Sequence, residues 1–476
     1  MNFTSIAFYI LFSTCIVLLL CADRFCKKDT ALKKAAILVL ASILYCGWQD
    51  WRFAVIVTAE AVFVYICALK IEAAGKKAWI VVGVTAVLGC LGIFKYYNFF
   101  ADTFCFFGLS VKRLELILPI GISFYSFSAI GYMTDVYRKK YPAEKNFLMV
   151  LLYMTFFPKL TAGPIITPND FFLQAKSETK ITLDQLAKGL QIILFGLIKK
   201  NVLSDHIAVF VDAVYGNVEM YNAPTLLLAV FGYGIQIYLD FSGYSDLAVG
   251  CSKCLGYDMP RNFNLPYLSR NVTEFWKRWH ITLSEWLMRY LYISLGGNRK
   301  GYVRMMVNLI LTMAIGGLWH GSSWNFVLWG LLHGIALCVH KQYLKIKGIG
   351  KDYVPAKPAF VLGVLATCLY ADFCWIFFRI TDLHTIVRLL QRIVTWSNGV
   401  AFYSSWTLIA MAAVALATLA AVIKSTGEQK NHTAVEGFYV IGNLGRTTHL
   451  IVFFVVIGMI LGLAYAYSNP FIYANF

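Results

Sequence analysis

Long apolar runs with few polar interruptions recur along the chain. In the N-terminal third they lie near Phe3–Cys21, Ala35–Trp48, Phe53–Leu69, Ala78–Phe94 and Leu114–Met133. At about 17–25 residues such runs match what a helix needs to cross roughly 30 Å of hydrocarbon. Lipid leaves no backbone polar group unpaired, and barrel strands would be short and alternating, so the pattern predicts a helical bundle. Ala35–Trp48 is short and predicts a tilted or mismatched span. Between the runs lie basic loops: Arg24 with Lys27, Lys28, Lys33 and Lys34; Lys70 with Lys76 and Lys77; then Tyr137-Arg-Lys-Lys140. Placing these in the cytoplasm puts the N-terminus outside. No basic stretch precedes the first run, which predicts a retained helix rather than a cleaved leader.

The middle is less regular. Phe147–Leu160 runs into Thr161-Ala-Gly-Pro-Ile-Ile-Thr-Pro168, whose breakers predict irregular backbone buried in protein or lining a wet cavity. Asp170–Leu186 reads as a surface helix, and Leu190–Ile198 ends in Lys199-Lys200. Leu226–Leu239 leads into Asp240 and Asp246, which mark either a polar cavity or a polar helix end at the interface. From Arg261 to Arg304 cations interleave with Trp276, Trp279, Trp286 and Tyr290, a pattern of helices lying in the membrane interface. Met305–Ile315, Trp324–Val339, Phe360–Phe378, Trp406–Ile423 and Leu450–Tyr467 complete about ten to twelve crossings. No soluble domain and no internal repeat is evident.

Composition sharpens this picture. The chain is 59% hydrophobic and 14% charged, where soluble domains carry about 25% charge. Its net charge of +17 fits cytoplasmic loops better than nucleic acid, because no nucleic-acid module accompanies it. The twelve cysteines sit mostly singly in apolar runs, as small hydrophobes do. The lone Cys251–Cys254 pair is too little for a zinc site.

The candidate chemistry belongs to histidine. His320 falls between apolar segments, beside Gly316, Gly317 and Gly321, which would let a substrate approach its ring. Desolvation keeps such an imidazole neutral and able to accept a proton. Trp319, Trp324 and Asn325 are close enough in sequence to wall the same pocket. His280 follows Lys277, Arg278 and Trp279 and reads equally as an interfacial histidine. His333 reads as structural: at ~100° per residue, one continuous helix would turn it about 140° away from His320. There is no Gly-x-Ser-x-Gly elbow, His-Glu-x-x-His or P-loop. A neutral histidine that deprotonates a hydroxyl attacking a thioester fits what remains.

An ordered set of motifs resembles one family. It comprises Pro119-Ile-Gly-Ile-Ser-Phe-Tyr, Asp135-Val-Tyr-Arg, Phe157-Pro-Lys-Leu-Thr-Ala-Gly-Pro164 and Tyr238-Leu-Asp-Phe-Ser-Gly-Tyr-Ser-Asp246. Then follow Asn262-Phe-Asn-Leu-Pro-Tyr, Phe275-Trp-Lys-Arg-Trp-His-Ile-Thr-Leu-Ser-Glu-Trp286, Tyr290-Leu-Tyr-Ile, Leu295-Gly-Gly-Asn-Arg-Lys-Gly and Gly316-Gly-Leu-Trp-His-Gly-Ser-Ser-Trp-Asn-Phe-Val-Leu-Trp-Gly. Together these resemble the membrane-bound O-acyltransferase (MBOAT) family, most closely its bacterial alginate O-acetyltransferase-like branch. Where the family commonly shows Arg-Asp, this chain has Met288-Arg289, and Ser294 replaces a frequent proline.

The resemblance implies an all-α polytopic membrane protein: an MBOAT-type helical bundle of about 10–12 transmembrane helices, with interfacial and re-entrant helices around a central funnel. The whole of 1–476 would be one integral-membrane domain, with N-terminal helices over 1–114, the core over 115–340 and C-terminal helices over 341–476. The family's catalytic histidine falls on His320 and its second histidine on His280. An acyl group, usually acetyl, would pass from a cytoplasmic thioester donor (acetyl-CoA or an acyl carrier) to hydroxyls of a polysaccharide outside a bacterial cytoplasmic membrane. An exported partner with an SGNH-hydrolase-like domain would complete the transfer. Lys277, Arg278, Arg299 and Lys300 suit a phosphate-bearing donor or lipid headgroups equally; Asp240 and Asp246 are weaker candidates. No metal or bound cofactor is implied. A D-alanyl transferase for teichoic acid is the rival enzyme, and a transporter or flippase without chemistry the rival of another class.

Overall fold

A computed structural model describes residues 5–26, 28–350 and 357–405, with 3, 407–409, 411–413, 416, 458, 462 and 472. Among the described residues every regular element is helical, apart from one isolated parallel bridge between Tyr221 and Val400. Seven helices are long and apolar enough to cross a membrane: Ile6–Phe25, Thr30–Gly47, Trp51–Ala74, Lys77–Phe106, Ala223–Cys254, Tyr302–His320 and Pro358–Arg379. Their outward faces expose Ile6, Ile10, Val17, Val55, Val81 and Leu362, an apolar surface that suits lipid and not water. The protein is a multi-pass membrane protein. The expected spans at Trp406–Ile423 and Leu450–Tyr467 fall outside the continuously described residues.

Local chemistry sets the helix ends. The side chains of Ser5 and Asp50 accept from Phe8 N and Arg52 N, capping the first and third spans. Gly75 closes the third in the left-handed region at φ 60°. The segment expected to be short is a helix of 18 residues, because it begins upstream at Thr30 and takes in Lys33 and Lys34. The Lys34 ammonium pairs with the carboxylate of the buried Asp23.

The chain divides into two compact units: Met1–Ile193 with Ser245–Arg261, and Leu194–Tyr244 with Asn262–Phe476. The first holds the N-terminal spans and two aromatic clusters, one of Phe8, Tyr45 and Phe157, the other of Tyr132, Tyr153, Phe171, Phe172 and Tyr257. Two expectations change here. Leu114–Met133 is helical only from Ile122, because Gly121 turns the chain at φ 74° hard against Leu160 O. Asp170–Leu186 is two pieces, Pro168–Ala175 and the start of Leu183–Leu197, with residues 176–182 non-helical between them. Lys95 is buried, and its Nζ donates to Ser123 Oγ at 3.1 Å. The break after Leu160 is as the prolines foretold, with Pro168 opening the next helix under a Thr167 cap.

The second unit holds the short helices Val272–Arg278 and Ile281–Trp286, a π-helical turn Leu287–Tyr292, and the helices Tyr302–His320, Trp324–Lys347, Lys357–Arg379 and Leu383–Val394. Tyr302–His320 and Trp324–Lys347 form a tight hairpin. A Cβ at Gly317 would lie 2.1 Å from Phe326 O, and one at Gly330 would lie 2.2 Å from Met313 O. Only hydrogen fits there, so the glycines allow the helices to touch backbone to backbone.

Candidate active site

His280 sits at the corner between Val272–Arg278 and Ile281–Trp286, with φ 42° and ψ 54°. A non-glycine residue in this region costs about 1–2 kcal/mol, so surrounding bonds must hold it. They do: Ile281 N donates to Asn262 O at 2.9 Å, Asn264 N donates to Arg278 O at 2.9 Å, and Thr282 Oγ1 donates to Asn262 Oδ1 at 2.6 Å. The corner turns the imidazole inward to 0% exposure. Burial pushes this ring's pKa down to about 3, leaving it neutral at ordinary pH.

His320 is the last residue of its helix, and Gly321 leaves in extended backbone at φ −167°. Its ring is 3% exposed and lies 6.3 Å from that of His280, centroid to centroid. Trp319, Trp329 and Phe378 surround it at 5.0, 5.1 and 5.3 Å. Phe241 packs edge-on to His280 at 4.7 Å, and Trp319 lies 6.3 Å from it. The structure therefore joins His280, His320 and Trp319, as the sequence suggested, and adds Trp329, Phe241 and Phe378.

Other candidates stand elsewhere. Trp324 is 55% exposed. Asn325 is buried, and its Nδ2 donates to Ile380 O at 2.6 Å, which anchors the start of its helix. The space beside Gly321 is taken by the Phe326 ring, 2.2 Å from where a Cβ would lie; with Gly317 already against Phe326 O, these glycines admit a neighbour, not a substrate.

Asp240 lies inside a continuous helix that runs on to Cys254, so it is not a helix end. It is buried, and the ammonium of Lys200 donates to Asp240 Oδ1 at 2.5 Å and to Asp205 Oδ1 at 2.8 Å. Asp246 belongs to the first unit, whereas the histidine pair belongs to the second. Arg278 is held by Glu274, at 2.8 and 3.0 Å, and donates to Asn264 O. Burial resists ionisation of Glu274, but Arg270 and Arg278 outweigh it and hold the carboxyl below its usual range. Lys277, Arg299 and Lys300 are exposed. At the Met288-Arg289 departure, Arg289 bonds Glu285 at 2.8 Å within an exposed i, i+4 pair.

His333 lies on the helix that follows His320, not on its own helix. The argument from one helical axis fails because Gly321–Ser323 separates two helices. Trp329 touches both histidine rings, at 5.1 Å from His320 and 4.9 Å from His333. The Trp-x-x-x-His spacing of Trp329 and His333, one turn apart on a helix, was the available signal.

The pattern described as "MBOAT, membrane-bound O-acyltransferase family" matches residues 137–346. A probable alginate O-acetylase of Pseudomonas putida is 37% identical over 374 residues, covering 76% of this chain and 75% of that protein. A probable alginate O-acetylase of Azotobacter vinelandii is 38% identical over 382 residues, covering 78% and 73%. A peptidoglycan O-acetyltransferase of Helicobacter pylori is 36% identical over 394 residues, covering 76% and 74%.

Proposed function

The chain belongs to the membrane-bound O-acyltransferase family, in its alginate O-acetyltransferase-like branch, and from that premise we propose that His320 is the base of its acyl transfer to a polysaccharide. The family makes it an O-acyltransferase. The transferred group is acetyl, carried by a thioester donor, acetyl-CoA or an acyl carrier, that enters from the cytoplasm. The acceptor is a hydroxyl outside a bacterial cytoplasmic membrane, reached through an exported SGNH-hydrolase-like partner. With the basic loops inside, the N-terminus faces out.

What carries the reading is the pair of buried imidazoles 6.3 Å apart, one at a helix end and one held in a left-handed corner. In the reaction, the acceptor oxygen bonds to the thioester carbonyl carbon while His320 takes the hydroxyl proton. The carbon–sulfur bond then breaks, and the thiolate leaves with that proton. His280, neutral and rigidly held, orients the acceptor or its proton. The aromatic wall of Trp319, Trp329 and Phe378 excludes water, which would otherwise hydrolyse the donor. Lys277, Arg299 and Lys300 draw the phosphates of the donor to the surface.

The test is acetyl transfer by purified protein carrying His320→Ala, together with mass analysis of surface glycan after deletion. Wild-type turnover in His320→Ala would sink the assignment; a glycan that keeps every acyl group would sink the substrate class.

A further inference from the structure

Helix Trp324–Lys347 buries two ring N–H groups that have no acceptor among the described residues. Trp329 and His333, one turn apart, are each 1% exposed. Trp276 Nε1–H donates to His333 Nδ1 at 3.3 Å. A neutral imidazole that accepts at one nitrogen carries its proton on the other, so His333 Nε2 is an N–H donor. Neither that group nor Trp329 Nε1–H has a hydrogen-bond partner among the described residues. Native chains leave few buried polar groups in this state, because desolvation without compensation is unfavourable. Two such donors, on rings 4.9 Å apart, with the Trp329 ring 5.1 Å from that of His320, mark a place where an acceptor belongs.

The walls indicate which acceptor. Phe275, Trp276, Tyr370 and Trp375 pack around His333 at centroid distances of 6.1, 5.1, 5.9 and 6.4 Å. Shedding water to enter such walls is far costlier for phosphate or carboxylate than for a neutral carbonyl oxygen. A pantetheine-type thioester arm is uncharged and presents its acceptors as thioester and amide carbonyls.

We propose that His333 Nε2–H and Trp329 Nε1–H bind carbonyl oxygens of the donor's thioester arm and so hold its acyl carbon beside His320. This rests on the acyl-transfer reading and names the polar contacts of that site with its donor. Trp276 is then a positioning residue: its bond to Nδ1 keeps the His333 proton on Nε2, facing the donor. Trp329 serves both the wall of His320 and the donor contact.

The experiment uses the full chain in lipid nanodiscs, with acetyl-CoA as substrate and its non-transferable ketone analogue as binding probe. His333→Phe removes the donor group, and His333→Gln restores an amide N–H near the position of Nε2. Trp329 is replaced by 3-benzothienylalanine, which keeps the ring shape and lacks the N–H. The expected result is about tenfold weaker analogue binding in His333→Phe and in the benzothienyl protein, the loss of one hydrogen bond of about 1.4 kcal/mol. His333→Gln recovers most of it. Equal analogue affinity in all of these proteins overturns the proposal, and so does loss in His333→Phe that Gln does not rescue. Wild-type protein that binds the analogue but acylates no hydroxyl would sink the acyl-transfer reading, while the affinity series still decides the donor contacts.

Discussion

The imidazoles of His280 and His320 lie 6.3 Å apart at an interplanar angle of 57°, though they come from different helices. His280 is set by the backbone bonds of Asn262 and Asn264, and His320 by the hairpin that turns at Gly321–Ser323. The pair is thus rigid from both sides, as a proton-transfer site requires.

The left-handed corner separates folding from chemistry. Asparagine tolerates φ near +50° better than most residues, so His280→Asn should fold at wild-type yield and lose acetyl transfer. His280→Val should in addition lower stability by about 1–2 kcal/mol through backbone strain. Thermal melts and transfer assays on the two proteins check this; a fully active His280→Asn would refute it.

Acidification should reveal the same residue. The His280 imidazole titrates at about 3 in the folded protein and at about 6.5 in the unfolded chain. The unfolded chain therefore binds the extra proton first as pH falls, and stability present above about 6.5 is lost progressively towards 3. His280→Asn should lose less stability than wild type between pH 6.5 and pH 4. Identical acid slopes in denaturant titrations would contradict the burial argument.

The hairpin leaves no room for a methyl group. Gly317→Ala would drive a Cβ to 2.1 Å from Phe326 O, a backbone atom that cannot turn aside. Overpacking of this kind costs roughly 1–3 kcal/mol, and the displaced helix end carries His320. Reduced melting temperature with reduced kcat is expected; Gly89→Ala, which meets nothing within 4 Å, is the control.

Lys200 sits between two buried carboxylates. Lys200→Met would remove the ammonium that pairs with both Asp205 and Asp240, and breaking such a group costs about 3–5 kcal/mol. Combining Lys200→Met with Asp240→Asn should return part of that loss. A double-mutant cycle in unfolding free energy measures the coupling, and simple additivity would refute it.

The exposed cations should act differently from the paired one. Arg299→Glu with Lys300→Glu should raise KM for acetyl-CoA by about thirtyfold or more at low salt, at about 1 kcal/mol for each charge lost, and the effect should fade as salt screens it. Arg278→Gln should chiefly lower stability, because Arg278 is bound to Glu274. A salt-independent KM in the double variant would remove these residues from donor docking.

The helical class and the membrane setting were legible in the chain, and so was the motif that carries His320. Run length, charge alternation and the Gly-Gly-Leu-Trp-His-Gly motif are local properties, which hold whatever the chain packs against. Even so, neighbouring backbone moved some boundaries. Leu114–Pro119 is not helical because the turn at Gly121 is pressed against Leu160, and the span at Ala35 begins earlier because Lys34 finds Asp23.

Partnership was not legible. That Asp240 meets Lys200 could not be read along the chain, since burial forces a charge to find whichever opposite charge folding brings near. Trp324 and Trp329 belong to one motif, but helical rotation exposes the first and wedges the second between His320 and His333. Sequence spacing gives direction around one helix axis only. Which rings meet across two helices depends on where the hairpin turns and how closely its glycines let it close, and that is set by packing in three dimensions.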